Sequence, residues 1–160
     1  MKRLAILLAL ALPGCGLHPL YAGGAQGQVA QGLAAVEVAP IDGKRGWLVG
    51  NALRERMGDG ATPARYRLTV QLDERIVGLG VRRDDSVARE RRTLRARYQL
   101  LDPSTGAVLL DATAGSDAGI DVVGSEYATI AAENTALERL AGIVADQIVG
   151  RIALYTRAHQ

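Results

Sequence analysis

Hydrophobic positions change their spacing several times along this chain, and each change predicts an element. Leu4 to Leu12 is an unbroken apolar run behind the positive Met1-Lys2-Arg3. From Gly16 to Gly32 the chain is rich in Gly, Gln and Ala and keeps no period, which predicts a tether. Ala34 to Ala39 alternates and stops at Pro40, as a short strand does. Asp42 can cap a helix beginning near Arg45, with Val49, Ala52, Leu53 and Met57 on one face and Gly58 as its stop. Gly50 weakens that helix, so packing must hold it.

A strict two-residue period follows. Tyr66, Leu68, Val70 and Leu72 point one way; Arg65, Arg67, Thr69, Gln71 and Asp73 point the other. After a charged turn around Arg83-Asp84-Asp85-Ser86, the pattern returns. Leu94, Ala96, Tyr98 and Leu100 form one face, and Thr93, Arg95, Arg97 and Gln99 the opposite one. The two segments predict an antiparallel hairpin with one dry and one wet face. Asp102-Pro103-Ser104-Thr105-Gly106 is a turn, and Ala107 to Ala114 is the next strand, with Val108, Leu110 and Ala112 in phase for the core. Gly115 to Gly124 reads as a loop. Ser125 then caps a long helix to about Tyr155, with Ile130, Leu137, Leu140, Val144, Ile148 and Ile152 on one side. The expected fold is α+β: a four-stranded sheet with two helices on one face, in the order strand-helix-strand-strand-strand-helix.

Composition narrows the function. At 160 residues the chain holds one ordinary domain, and with no Phe its core must be aliphatic. Residues 1–14 read as a signal peptide, with a positive n-region and an apolar stretch too short to span a bilayer. Its removal takes Lys2 and Arg3 from the 19 basic residues and leaves 17, against 17 acidic ones. A neutral domain is no general nucleic-acid binder. The two histidines, His18 and His159, stand near the chain ends, and there is one cysteine. That inventory supplies no catalytic pair, metal site or cofactor site, and no phosphate loop or nucleophile elbow is present. An enzyme is not expected.

The lone Cys15 needs an explanation, and Leu12-Pro13-Gly14-Cys15 supplies one by resembling a bacterial lipobox, with Pro13 where a small residue is usual. Acylation there would hold the protein on a membrane, since each buried CH₂ contributes about 0.8 kcal/mol and several chains hold where one does not. The expected organisation is a signal peptide at 1–14, lipidated Cys15 with a tether at 15–32, and an α+β domain at 33–158. Within the tether, Leu17-His18-Pro19-Leu20-Tyr21 suits docking, onto a partner or onto the protein's own domain.

Arg65, Arg67, Arg91, Arg95 and Arg97 are expected on one sheet face with Thr93 and Gln99. Like charges on adjacent strands repel, so the stripe requires neutralisation, for which Asp73, Glu90 and Asp111 are available. It reads either as a solvated face in an Arg-rich chain or as an anion-binding surface. Arg82 and Arg83 are expected to face water. Trp47, the single Trp, reads as a core or edge anchor.

Several features together resemble the LptE family of lipopolysaccharide-assembly lipoproteins, in its alphaproteobacterial form. They are Cys15-Gly16-Leu17-His18-Pro19-Leu20-Tyr21, Tyr98-Gln99-Leu100-Leu101-Asp102 before a Gly turn, and Ser125-Glu126-Tyr127-Ala128 opening a long helix. The resemblance implies an outer-membrane lipoprotein on the periplasmic face, anchored through acylated Cys15. It implies that the domain plugs and helps assemble an LptD-like β-barrel, and that the pair inserts lipopolysaccharide into the outer leaflet. Gly16, which is not Asp, agrees with export to the outer membrane. An auxiliary lipoprotein of an envelope lipid-transport ABC system would share the same anchor and a comparable domain.

Overall fold

The computed structural model describes residues 27–58, 60, 64–81, 87–122 and 124–159. The signal segment, Cys15, the Leu17–Tyr21 motif and the Arg82 to Ser86 turn lie outside the described residues. Among the described residues seven elements follow in order: α1 (Gln28–Ala34), β1 (Val36–Val38), α2 (Gly43–Met57), β2 (Tyr66–Val81), β3 (Val87–Leu101), β4 (Val108–Asp121) and α3 (Glu126–Ala158). The sheet order is β1-β2-β3-β4, with β1 parallel to β2 and the other pairs antiparallel. All three helices lie on its dry face.

The expected α+β class holds, with one helix more than expected. Residues 28–32, read as the end of the tether, belong to α1. Val29 and Leu33 stand one turn apart and are both buried, which gives a short Gly- and Gln-rich helix an apolar stripe to pack on α3. Isolated helices this short are not stable, so tertiary packing makes this one.

The second correction concerns β4, which runs through the supposed loop as far as Asp121. Ala114, Ser116, Ala118 and Ile120 keep the inward phase, and pairing with β3 extends to Arg89↔Asp121. Small residues at those positions make the alternation faint in sequence, although the ladder is continuous in space. β2 and β3 likewise outrun the expected hairpin.

Helix α2 starts at Asp42 with the extended backbone of a cap, but without a side-chain cap bond. It ends on Gly58, whose φ of +87° is strained for any L side chain and whose N–H donates to the carbonyl of Arg54. In α3, Ser125 Oγ accepts from Ala128 N at 3.4 Å, as a capping serine should. The hairpin between β3 and β4 closes on Asp102, whose carboxylate accepts from the backbone N–H and hydroxyl of Ser104.

The core is one aliphatic layer between sheet and helices. Leu68, Leu94 and Leu100 from the strands meet Val49 and Leu53 from α2 and Leu140, Val144, Ile148 and Ile152 from α3. Two expected members fall outside it. Ile130 is 48% exposed on the first turns of α3, and Val108 is 52% exposed beside a register shift at Leu100/Leu101. Trp47 is no core anchor either, being exposed on the outer side of α2.

Candidate functional site: the charged face of the sheet

Among the described residues no helix covers the second face of the sheet, and cross-strand register lays its side chains out in rows. Successive rows across β2, β3 and β4 read Thr69–Gln99–Asp111, Gln71–Arg97–Thr113, Asp73–Arg95–Gly115, Arg75–Thr93–Asp117 and Val77–Arg91–Gly119. Side chains of alternate residues share a face, so Arg67, Arg91, Arg95 and Arg97 do emerge together as their spacing predicts. Arg65 stands apart. It precedes β2, and its guanidinium lies 5.3 Å from the ring centroid of Tyr66 at the sheet's base.

The stripe is neutralised almost residue by residue. Arg97 makes a forked contact with Asp111, with Nη2 to Oδ2 at 2.8 Å and Nε to Oδ1 at 3.2 Å. Gln99 Nε2 donates to the same carboxylate at 2.8 Å. Hydrogen bonds from Arg97 and then Gln99 pull the Asp111 carboxyl down to about 2. The Arg97 guanidinium is raised in return, first by its bond to Asp111. Arg67 faces Glu37 of β1 across 3.2 Å, and Arg89 meets Asp121 at 2.9 Å. Arg95 reaches Asp117 only at 3.9 Å, and Asp73 contacts Arg75 at 3.5 Å.

Arg95 takes this path across Gly115. A Cβ there would stand 2.5 Å from Arg95 Cδ and 2.9 Å from the carbonyl oxygen of Leu94, so glycine keeps the arginine flat on the sheet. Arg91 differs from its neighbours, since among the described residues it has no ion pair. Its flanks are the exposed Val77 and Gly119. A shallow recess of about 110 Å³ opens between Thr69, Gln71, Arg97 and Gln99.

Six arginines and five carboxylates occupy this face among the described residues. The result is not a basic patch but an interlocked layer of both signs, rich in fixed donors and acceptors. Of the expected neutralising residues Asp73 and Asp111 take part. Glu90 does not, because its phase turns it to the opposite face, where its Oε2 is buried without a hydrogen-bond partner.

One polar cluster escaped the sequence reading. Arg92 sits on the dry face, only 8% exposed, and pairs with Glu74. Its Nη1 donates to the carbonyl of Glu133 in α3 at 2.5 Å, and Arg45 of α2 reaches Glu74 at 3.3 Å. Sheet, α2 and α3 therefore meet on one buried ion cluster. The signal was available: Glu74 keeps the phase of Leu72 and Arg92 that of Leu94, so two opposite charges occupy the dry side of a predicted hairpin.

The fold has solved relatives. A Caulobacter crescentus CB15 protein described as a lipoprotein superposes with a TM-score of 0.70 at 25% identity, over 82% of this chain and 98% of its own. Rare lipoprotein B from Shewanella oneidensis gives a TM-score of 0.54 at 15% identity, over 77% and 95% of the two chains. Lipoprotein B from Nitrosomonas europaea gives 0.60 at 15% identity, over 77% and 84%. No curated protein sequence matches the chain. The family model for LptE, described as lipopolysaccharide assembly, matches residues 33–152, from the end of α1 to near the end of α3. The chain belongs to the LptE lipopolysaccharide-assembly family.

Proposed function

We propose that this protein is an outer-membrane lipoprotein, anchored on the periplasmic side through acylated Cys15, that plugs and helps assemble an LptD-like β-barrel. Through that barrel it supports insertion of lipopolysaccharide into the outer leaflet. Its role is structural, and no catalysis is assigned to it. Family membership supports the assembly role, and the charged sheet face is the observation that carries the plug. The interior wall of a large barrel is polar, unlike its lipid-facing exterior. A flat face of interlocked Arg, Asp, Thr and Gln, left bare opposite a helix-covered one, matches such a wall and keeps its own charges balanced.

Lipopolysaccharide phosphates are the second ligand proposed for this face, with Arg67, Arg91, Arg95 and Arg97 as the available cations; Arg65, apart from the face, is not among them. Arg67 and Arg97 already spend their forks on Glu37 and Asp111, so Arg91 and the loosely held Arg95 lead. Lipopolysaccharide binding by Arg91→Ala/Arg95→Ala, set against Arg97→Ala, tests this point. Unchanged affinity and salt dependence in both variants remove direct contact.

The partner is tested by recovering the tagged lipoprotein from detergent-solubilised outer membranes. A large barrel protein in equal amount is the expected companion. An inner-membrane transporter in its place would assign the chain to a lipid-transport ABC system.

A further inference from the structure

β4 is an outer strand of the sheet and 14 residues long. At its middle, the N–H of Gly115 donates to Gln147 Oε1 at 3.0 Å, and its C=O accepts from Gln147 Nε2 at 3.3 Å. A side-chain amide that accepts and donates at one residue occupies the place of a peptide group on a neighbouring strand. Gly115 therefore faces away from β3. Because antiparallel pairing alternates, Thr113, Asp117 and Gly119 turn their N–H and C=O groups to the same side. No fifth strand lies there among the described residues.

The helix beside this edge supplies the other wall. On α3, Ile143 stands one turn before Gln147 and Leu154 two turns after it, so the three share a side. Ile143 and Leu154 are 39% and 43% exposed, and open space lies where Gly150 would carry a Cβ. Leu154 also lines a recess of about 200 Å³ with Leu110, Arg151 and Tyr155.

We propose that the outer edge of β4 and the Ile143–Leu154 stripe form a strand-acceptor groove. It takes an extended polypeptide segment bearing aliphatic residues at alternate positions, and Gln147 holds the place until that segment displaces it. Main-chain hydrogen bonds along the edge give affinity, and the apolar stripe selects the alternating side chains. A second copy of this chain fits the edge badly. Paired strands lie about 4.8 Å apart, whereas packed helices need about 8–10 Å between axes. Because α3 packs on β4, joining two such edges would force two α3 helices together. A segment without a helix of its own avoids the collision. The inference rests on the barrel reading above and assigns the segment to that partner.

Recovery of the barrel with tagged variants tests it. Thr113→Pro removes one outward N–H and spares the inward ladder, so it should recover about tenfold less barrel than wild type. Thr113→Val loses the same hydroxyl from the charged face but keeps that N–H, so it should recover several-fold more barrel than Thr113→Pro. Equal recovery by Thr113→Pro overturns the groove. If circular dichroism shows that this variant does not fold, hydrogen exchange of the wild-type protein decides. The amides of Thr113, Asp117 and Gly119 should then exchange about tenfold more slowly in the complex than in the isolated lipoprotein. Equal rates overturn it. Wild-type protein that brings down no barrel sinks the partner reading and this assignment with it. Self-association that Thr113→Pro abolishes would give the edge to a second copy and overturn the proposal.

Discussion

On the helical side of the sheet Leu68, Leu94 and Ala96 are buried, while one residue along each strand the side chains of Arg67, Arg95 and Arg97 are half or more exposed. The same strands thus carry two surfaces made by opposite rules. The first excludes water and carries little charge, paired at Arg92 and Glu74 and buried without a hydrogen-bond partner at Glu90 Oε2. The second keeps charge in water and balances it by pairing across strands. Stability resides in the first, because exposed ion pairs contribute little once solvent screens them. The second is therefore free to serve recognition. Substitutions that ask the two faces for the same change should give very different answers.

The largest effect is expected at the buried ion cluster. Arg92→Ala leaves Glu74 desolvated with only the half-exposed Arg45, and should cost about 3–5 kcal/mol in a urea titration. Replacing both partners by leucine should be close to neutral, because neither buried charge of the pair then remains. A similar loss from the double variant would mean that the cluster contributes net stability. In the aliphatic layer, Ile148→Val removes one buried methyl group and should cost about 1 kcal/mol.

The charged face should respond mainly to pH. Asp111 has a folded-state value of about 2, below the ordinary aspartate value of about 3.9. A depressed carboxyl stabilises the folded protein above the unfolded value and ceases to do so as pH falls through the folded one. The stability difference between wild type and Asp111→Asn should therefore be constant above about pH 5 and fade between about pH 4 and pH 2. A difference that persists at the acid end would place its origin in packing instead of charge.

Much of the sheet was legible because Leu68–Val70–Leu72 and Leu94–Ala96–Tyr98–Leu100 repeat every second residue with bulky side chains. Long α3 was equally plain, since Leu137, Leu140, Val144, Ile148 and Ile152 return on one helical side. What escaped is held by tertiary contacts. The distal half of β4 has Gly115 and Gly119 on one face and small residues on much of the other, so its alternation carries little hydrophobic contrast. Helix α1 has two apolar anchors, Val29 and Leu33, in seven residues and needs α3 to exist. For the candidate site, the common face of Arg67, Arg91, Arg95 and Arg97 followed from spacing. Their neutralisation did not, because Asp117 and Asp121 lie in the stretch taken for a loop. Arg65 separated from the stripe because it precedes β2, where its guanidinium lies over the ring of Tyr66.

The account depends most on the bare face being where the barrel meets this protein. Co-purification of the barrel with an Arg95→Glu/Arg97→Glu variant measures that directly. Reversing two exposed charges should leave the urea midpoint near that of wild type while placing acid against acid at Asp111 and Asp117. The account predicts that recovered barrel falls about tenfold or more, as expected where like charges are forced into an interface. Wild-type recovery from a folded variant would contradict it.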